Sequence, residues 1–165
     1  MPDFQHIVYI GLGSNLEKPV DQIISARSAI KHLQDVQEIA FSSLYRSVPM
    51  GPKDQPDYIN AVMAVNTSLE PLDLLRKLQQ IETQHGRVRK DQRWAARTLD
   101  LDILLYSNQQ IDHPDLKVPH YGMADRAFVL YPLHEIAPEL DIPGVGKLTD
   151  LLMKVPPDGL EKIYL

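Results

Sequence analysis

The sequence predicts an α+β fold, a two-layer sandwich in which two helices cover one face of an antiparallel sheet. Three observations predict it. Strand-like and helix-like stretches follow one another in the order strand, helix, strand, strand, helix, strand, which is the order of a βαββαβ unit. A proline opens each helical stretch, and turn-forming residues separate the strands. The last strand of the unit carries two carboxylates at alternate positions among apolar residues, so one sheet face is expected to be core and the other open to a ligand.

Taken in order, Ile7 to Gly13 reads as a buried strand running into the polar turn Ser14-Asn15-Leu16. Gly11 and Gly13 can admit a close backbone or ligand, although a lone Gly-x-Gly more often marks a structural turn, and Leu16 stands where a dinucleotide fingerprint needs its third glycine. Pro19 opens a helix to about Leu33, with Val20, Ile23, Ile24, Ala26, Ile30 and Leu33 as its apolar stripe. Val36 to Arg46 alternates as one strand. Three prolines and a glycine between Ser47 and Pro56 make a loop. The strand Asp57 to Thr67 places Tyr58 and Asn60 on one face, a ring beside an amide that can stack on and hydrogen-bond a flat heterocycle or simply decorate the surface. Glu70-Pro71 begins a second helix to about His85, ended by Gly86. Tyr106 to Ile111 reads as a hairpin turn and the start of its return strand, Val118 to Tyr121 as extended, Asp125 to Leu133 as helix, and Leu148 to Val155 as a last amphipathic helix. The expectation is a ferredoxin-like core with extra C-terminal helices, in a single domain spanning residues 1–165.

Composition narrows the class. With 44% hydrophobic and 24% charged residues the chain is globular and not disordered. It contains no cysteine, which excludes disulfides and thiolate metal sites. No run of 18 apolar residues and no basic leader is present, so a cytoplasmic protein without membrane association is expected. A net charge of −5 argues against a general nucleic-acid binder, and a monomer is expected.

The chemistry concentrates between His85 and Tyr106. Asp100 and Asp102 leave the same side of their strand while Leu99, Leu101 and Ile103 leave the other. Two adjacent carboxylates beside a core repel each other and resist desolvation, and a hard divalent cation relieves both costs. Standing alone, such a pair more often marks a polar face matched to Arg or Lys. Here it follows a run, His85 to Arg97, in which Arg87, Arg89, Lys90, Arg93 and Arg97 face only Asp91; that is +4 within a chain of −5, leaving −9 for the rest. A cationic segment leading into an acidic strand suits a metal-bound polyphosphate. His120 has no second His or Cys in ligand spacing, so it is not read as a zinc ligand.

Six blocks, in order, then carry a family resemblance: Tyr9-Ile10-Gly11-Leu12-Gly13-Ser14-Asn15-Leu16; Gly51 to Asn60; Gly86-Arg87-Val88-Arg89-Lys90; Arg93-Trp94-Ala95-Ala96-Arg97-Thr98-Leu99-Asp100-Leu101-Asp102-Ile103; Val118-Pro119-His120-Tyr121; and Arg126-Ala127-Phe128-Val129-Leu130. Together they resemble the 6-hydroxymethyl-7,8-dihydropterin pyrophosphokinases of folate biosynthesis, over nearly the whole chain. The resemblance implies a kinase-like transferase that moves pyrophosphate from ATP to the pterin hydroxymethyl group and releases AMP, with two Mg²⁺ ions. By the same resemblance Asp100 and Asp102 hold the metals and Arg87 and Arg97 meet the transferring phosphates. Gln79, Arg89, Lys90, Trp94, Ile103, His120, Tyr121 and Arg126 fall on ATP-contacting positions, with Glu82 near Gln79. The pterin is implied between the rings of Tyr58 and Phe128, with Asn60, Ser47, Val48 and Met50 at its edge and Gly13 against the pocket. Val48 and Met50 stand where proline and leucine are usual, and Ala95-Ala96 replaces a usual Gly-Pro. Without the resemblance, the rivals are a two-metal nucleotidyl transferase or cyclase and an RNA-binding module of the same topology.

Overall fold

The computed structural model describes residues 6–15, 18–47, 57–85, 99–157 and 159–163. In chain order its elements are β1 (His6–Ser14), α1 (Pro19–Lys31), β2 (Val36–Phe41), β3 (Leu44–Ser47), β4 (Tyr58–Thr67), α2 (Pro71–Gln84), β5 (Asp100–Tyr106), β6 (Ile111–His113), β7 (Leu116–Val118), α3 (Ala127–Ile136), β8 (Asp141–Ile142), β9 (Gly146–Lys147), α4 (Leu148–Lys154) and β10 (Leu160–Ile163). A 3-10 turn at Met123–Asp125 precedes α3. The main sheet runs β10-β3-β4-β1-β5, with β2 also paired to β4. Every pairing in it is antiparallel.

Because β2 and β3 lie end to end along β4, the core is the expected βαββαβ arrangement. The single strand expected from Val36 to Arg46 is nevertheless broken at Ser42-Ser43. Ser42 N–H donates to the Val62 carbonyl at 2.9 Å, and Ser42 Oγ accepts Val62 N–H at 2.9 Å in place of a ladder carbonyl. The same hydroxyl donates to the Ser43 carbonyl at 2.8 Å. A side chain that satisfies its neighbour's backbone in this way interrupts the ladder without leaving a buried donor unpaired.

Both faces of the sheet carry core. On one, Ile23, Ala26 and Ile30 of α1 and Leu74, Leu78 and Ile81 of α2 pack on Ile10, Leu12, Met63, Val65, Leu101 and Ile103. Here the apolar stripe of α1 and the alternation of the strands act together, as patterning requires. On the other face Val62, Leu104 and Leu105 meet Val129, Leu130 and Leu133 of α3 and Leu148 at the start of α4. Leu130 and Leu133 are fully buried, each contributing about 1.5–3 kcal/mol relative to exposure. The face expected to be open is therefore partly roofed by α3 and α4, and the space for a ligand is a cleft.

The second strip of core comes from a bulge. Ile10 pairs with Ile103 and Tyr9 with Leu105, so Leu104 is an extra residue in β5. The side-chain alternation resets there: Ile103 belongs to the α1–α2 core, Leu104 and Leu105 to the α3–α4 core, and Tyr106 again to the first. Beyond Tyr106 the expected return strand does not pair with β5. Ser107, at φ 50°, donates its N–H to Ile7 at 2.7 Å, and β6 pairs with β7 in a separate ribbon. The two C-terminal helices run from Ala127 to Ile136 and from Leu148 to Lys154, close to expectation, while the β8–β9 hairpin and β10 were not expected. Among the described residues no helix is long and apolar enough to cross a membrane.

Candidate active site

Strand register builds the site. Directly opposed residues of antiparallel strands project to the same side. One row across the sheet is Tyr45, Asn60, Gly13 and Asp100; the next is Val62, Gly11 and Asp102. Each aspartate thus has a glycine beside it on β1, and the floor between β4 and β5 carries no side chain. The Gly-x-Gly pattern is a clearing within a strand and not a turn. A Cβ on Gly13 would lie 2.9 Å from Asn60 Oδ1, closer than such contacts allow, so the glycine is what lets Asn60 lean across the floor. Asn60 Nδ2 in turn donates to Ser47 Oγ at 3.2 Å, which fixes the orientation of this largely buried amide.

Above this floor lies a cavity of about 570 Å³. The structure brings Gly13, Ser47, Tyr58, Asn60, Asp100, Asp102, His120, Arg126 and Phe128 to its walls. Tyr58 comes from the sheet and Phe128 from the first turn of α3, so the two rings bound the cavity from different layers. Asp100 and Asp102 enter from β5, with the Asp102 side chain half exposed. Between them, Leu101 N–H donates at 2.8 Å to Glu82, which is only 3% exposed on α2. Glu82 therefore grips the backbone from the core side, and the carboxylate pair is anchored through its own strand.

The bulge also positions His120. Its backbone N–H donates to the Leu104 carbonyl at 3.0 Å, which brings the ring over β5. Its Nδ1 accepts Gly122 N–H at 3.2 Å, so in the neutral ring the proton sits on Nε2, facing Asp102 Oδ1 at 3.9 Å. That separation is too long for a hydrogen bond. Burial holds the His120 ring below its ordinary pKa; Asp102 opposes this and Arg126 adds to it. The Arg126 guanidinium lies over Gly122, where a Cβ would come within 2.8 Å, and 5.7 Å from the centre of the Phe128 ring. One end of the cavity is thus acidic with a cation beside it, and the other is aromatic with an amide.

Three residues that the resemblance implies for nucleotide contact do not line this cavity. The Ile103 side chain is buried in the α1–α2 core, so only its backbone can face a ligand. Gln79, on α2, accepts a 3.2 Å bond from Arg76, which also reaches Asp115. Tyr121 is 81% exposed and stacks on His120 without lining the cavity. Arg87, Arg89, Lys90, Trp94, Arg97, Val48 and Met50 lie outside the described residues. Sequence reasoning missed Asp125 at the cavity wall and the stretch holding Val155, Pro156, Gly159 and Leu160. The latter carries no motif and becomes part of the site only through pairing with β3.

The donor set is two carboxylates, and among the described residues no cluster of three His, Asp or Glu side chains exists. Two hard oxygen donors suit Mg²⁺, which completes its shell with water and phosphate oxygens, and suit zinc or a soft metal poorly.

Comparison with known proteins agrees with this geometry. Residues 9–138 match the family model described as 7,8-dihydro-6-hydroxymethylpterin-pyrophosphokinase. The 2-amino-4-hydroxy-6-hydroxymethyldihydropteridine pyrophosphokinase of Pseudomonas aeruginosa is 53% identical over 94% of this chain and 96% of its own. The protein of that name from Haemophilus influenzae is 51% identical over 87% and 89%. Among solved structures, the wild-type Plasmodium falciparum HPPK-DHPS with pteroate aligns with 97% of this chain at a TM-score of 0.77 and 15% identity, which speaks to fold alone. An HPPK-DHPS in complex with substrates also gives 0.77, at 13% identity. The chain spans about half the length of these two, 46% and 47%. With more than half of its residues shared along nearly the full length of a curated relative, and most of its length matched by one family model, the chain belongs to the 7,8-dihydro-6-hydroxymethylpterin-pyrophosphokinase family.

Proposed function

We propose that this chain transfers the β,γ-pyrophosphoryl group of ATP to the hydroxymethyl oxygen of 6-hydroxymethyl-7,8-dihydropterin, giving AMP and the pterin diphosphate, with two Mg²⁺ ions held at Asp100 and Asp102. The observation that carries the reading is the row alignment: both carboxylates stand beside glycines on one floor, with Asn60 and Tyr58 farther along it. A flat heterocycle between Tyr58 and Phe128 sends its substituent toward the acidic end, where the nucleotide phosphates must lie. The ring faces contribute stacking, and the Asn60 amide, held by Ser47, can read the heterocycle edge.

In the reaction the hydroxyl oxygen bonds to the β-phosphorus as that phosphorus releases the α,β-bridging oxygen. AMP leaves with the electron pair and the hydroxyl proton passes to solvent. Asp100 and Asp102 would hold the magnesium ions, which would supply positive charge to the transferring phosphates and acidify the hydroxyl. The chain's own contribution is positioning. Glu82 and the bulge fix the strand and His120, Arg126 brings a cation to the cavity, and α3 with Val155 and Pro156 excludes water from part of it.

Incubation with ATP, Mg²⁺ and the hydroxymethyl pterin tests the reading by the nucleotide product. AMP in equal amount to pterin diphosphate is expected. ADP would show a simple kinase, and no nucleotide product would remove the assignment.

A further inference from the structure

The cavity wall farthest from β5 is made by the C-terminal stretch. Val155 and Pro156 follow α4 and Leu160 opens β10, and all three line the cavity. The stretch is tied down at several points. Tyr131 Oη donates to the Val155 carbonyl at 2.9 Å, Leu160 N–H donates to the Pro157 carbonyl at 3.0 Å, and β10 pairs with β3 from Leu160–Ser47 to Ile163–Leu44. Lys162 adds an ion pair to Glu135 of α3 at 3.7 Å. Gly159 enters the strand at φ 77°, a turn that side chains disfavour.

Register places Leu160 on the ligand face. Leu160 opposes Ser47 and Ser47 opposes Tyr58, so the three side chains rise in one row from β10, β3 and β4. The Ser47 hydroxyl that fixes Asn60 thus has Tyr58 on one side and Leu160 on the other.

We propose that Val155, Pro156 and Leu160 form the apolar end wall of the heterocycle half of the cleft, and that Leu160 sets the largest ring substituent the cleft admits. The inference rests on the proposed reaction. The reacting hydroxymethyl group must lie toward β5, because Asp100 and Asp102 are there, so the opposite end of the ring system points across β1 and β4 toward β3 and β10. Five strands separate the two ends by four steps, roughly 19 Å of backbone at about 4.8 Å a step, a span that a cation, a hydroxymethyl arm and a bicyclic ring largely fill. The ring edge that completes this span meets Leu160, whose size then decides what can be attached there.

The test uses the full chain and measures affinity for the parent pterin, for a pterin bearing a bulky ring substituent and for a magnesium-bound non-hydrolysable ATP analogue. Leu160→Trp is expected to weaken parent pterin binding at least tenfold while nucleotide affinity stays within twofold. Leu160→Ala is expected to raise the ratio of bulky to parent affinity at least fivefold. Wild-type pterin affinity in Leu160→Trp, an equal loss of both ligands, or an unchanged ratio in Leu160→Ala would each overturn the wall. A wild-type chain that binds no pterin would overturn the reaction together with the wall, which separates the two failures.

Discussion

Asp102 presents half of its side chain to solvent and lies in a row with Gly11 and Val62, so removing it leaves no core cavity. Asp102→Ala is expected to keep its Tm within about 2 °C of wild type and to lose turnover by about a hundredfold to a thousandfold, the scale of effect seen when a preorganised group that stabilises developing charge is deleted. AMP release near the wild-type rate would show that the carboxylate pair is a solvated face and not a metal site. Gly13 is the second informative position. An added methyl would meet Asn60 Oδ1 at 2.9 Å, so Gly13→Ala must push the amide away and weaken its bond to Ser47. A rise of about tenfold in KM for the pterin, with KM for ATP little changed, is expected, because one well-placed hydrogen bond is worth about 1–1.5 kcal/mol. Equal effects on both substrates would show that the strand itself had shifted. The Asp-x-Asp parity and the Tyr58/Asn60 pair were legible from side-chain alternation alone, since alternation is a local property of any strand. That Gly11 and Gly13 could admit a close ligand was legible too, but not that they clear the floor beside Asp102 and Asp100, because a glycine's neighbours on adjacent strands depend on pairing register.

Among the elements, α3 is joined to the sheet edge by one carboxylate. Glu135 accepts Tyr45 Oη at 2.6 Å through Oε1 and takes Ser43 N–H and Oγ at 2.9 and 3.0 Å through Oε2, with Lys162 nearby. Burial pushes this carboxyl up, but the bonds from Tyr45 and Ser43 and the charge of Lys162 outweigh it and hold the group below its ordinary value of 4.5. A carboxyl depressed in the folded state stabilises above its ordinary pKa, and that contribution is lost as pH falls through the depressed folded value. Glu135→Gln has only one acceptor oxygen for the two sets of donors. It should lower Tm at pH 7 by about 3–8 °C, corresponding to about 1–2 kcal/mol, and the gap to wild type should close as pH drops below 4.5. A gap that stayed constant from pH 7 to pH 3 would mean that shape and not charge was lost. None of this junction shows in the sequence. The break at Ser42-Ser43 lies inside an unbroken alternation, and β10 is a four-residue edge strand defined only by its partner. The bulge at Leu104 is equally silent, because Ile103, Leu104, Leu105 and Tyr106 are all apolar and a reset of alternation among them changes nothing in the pattern.

Across the whole molecule, the βαββαβ order was legible because each of its elements has its own period and its own start and stop residues. The roof over the ligand face was not, since α3 and α4 cover the sheet through Leu104, Leu105 and Val62, whose exposure depends on the bulge and on topology. The result is a cleft whose walls come from β5 at one sheet edge, β10 at the other and α3 above. A ligand that touches all three walls couples parts that otherwise communicate through the sheet alone. Binding that favours the folded chain adds RT ln(1 + [L]/Kd), about 2.7 kcal/mol at a hundredfold excess over Kd, and so a rise of about 5–10 °C in Tm for a chain of this size. The nucleotide share of that rise is expected to require magnesium, because without a cation the phosphates would face Asp100 and Asp102 directly. Thermal unfolding with a non-hydrolysable ATP analogue should therefore show a clear shift in Mg²⁺, little or none in excess chelator, and little or none in Asp102→Ala under either condition, while the pterin share in the wild type should depend on chelator far less. Amide exchange should slow at β10 and α3 when pterin is added, and at β5 when the magnesium nucleotide is added. A nucleotide shift that persisted in chelator would place the phosphates away from the acidic pair and would require a different reaction centre in the same cleft.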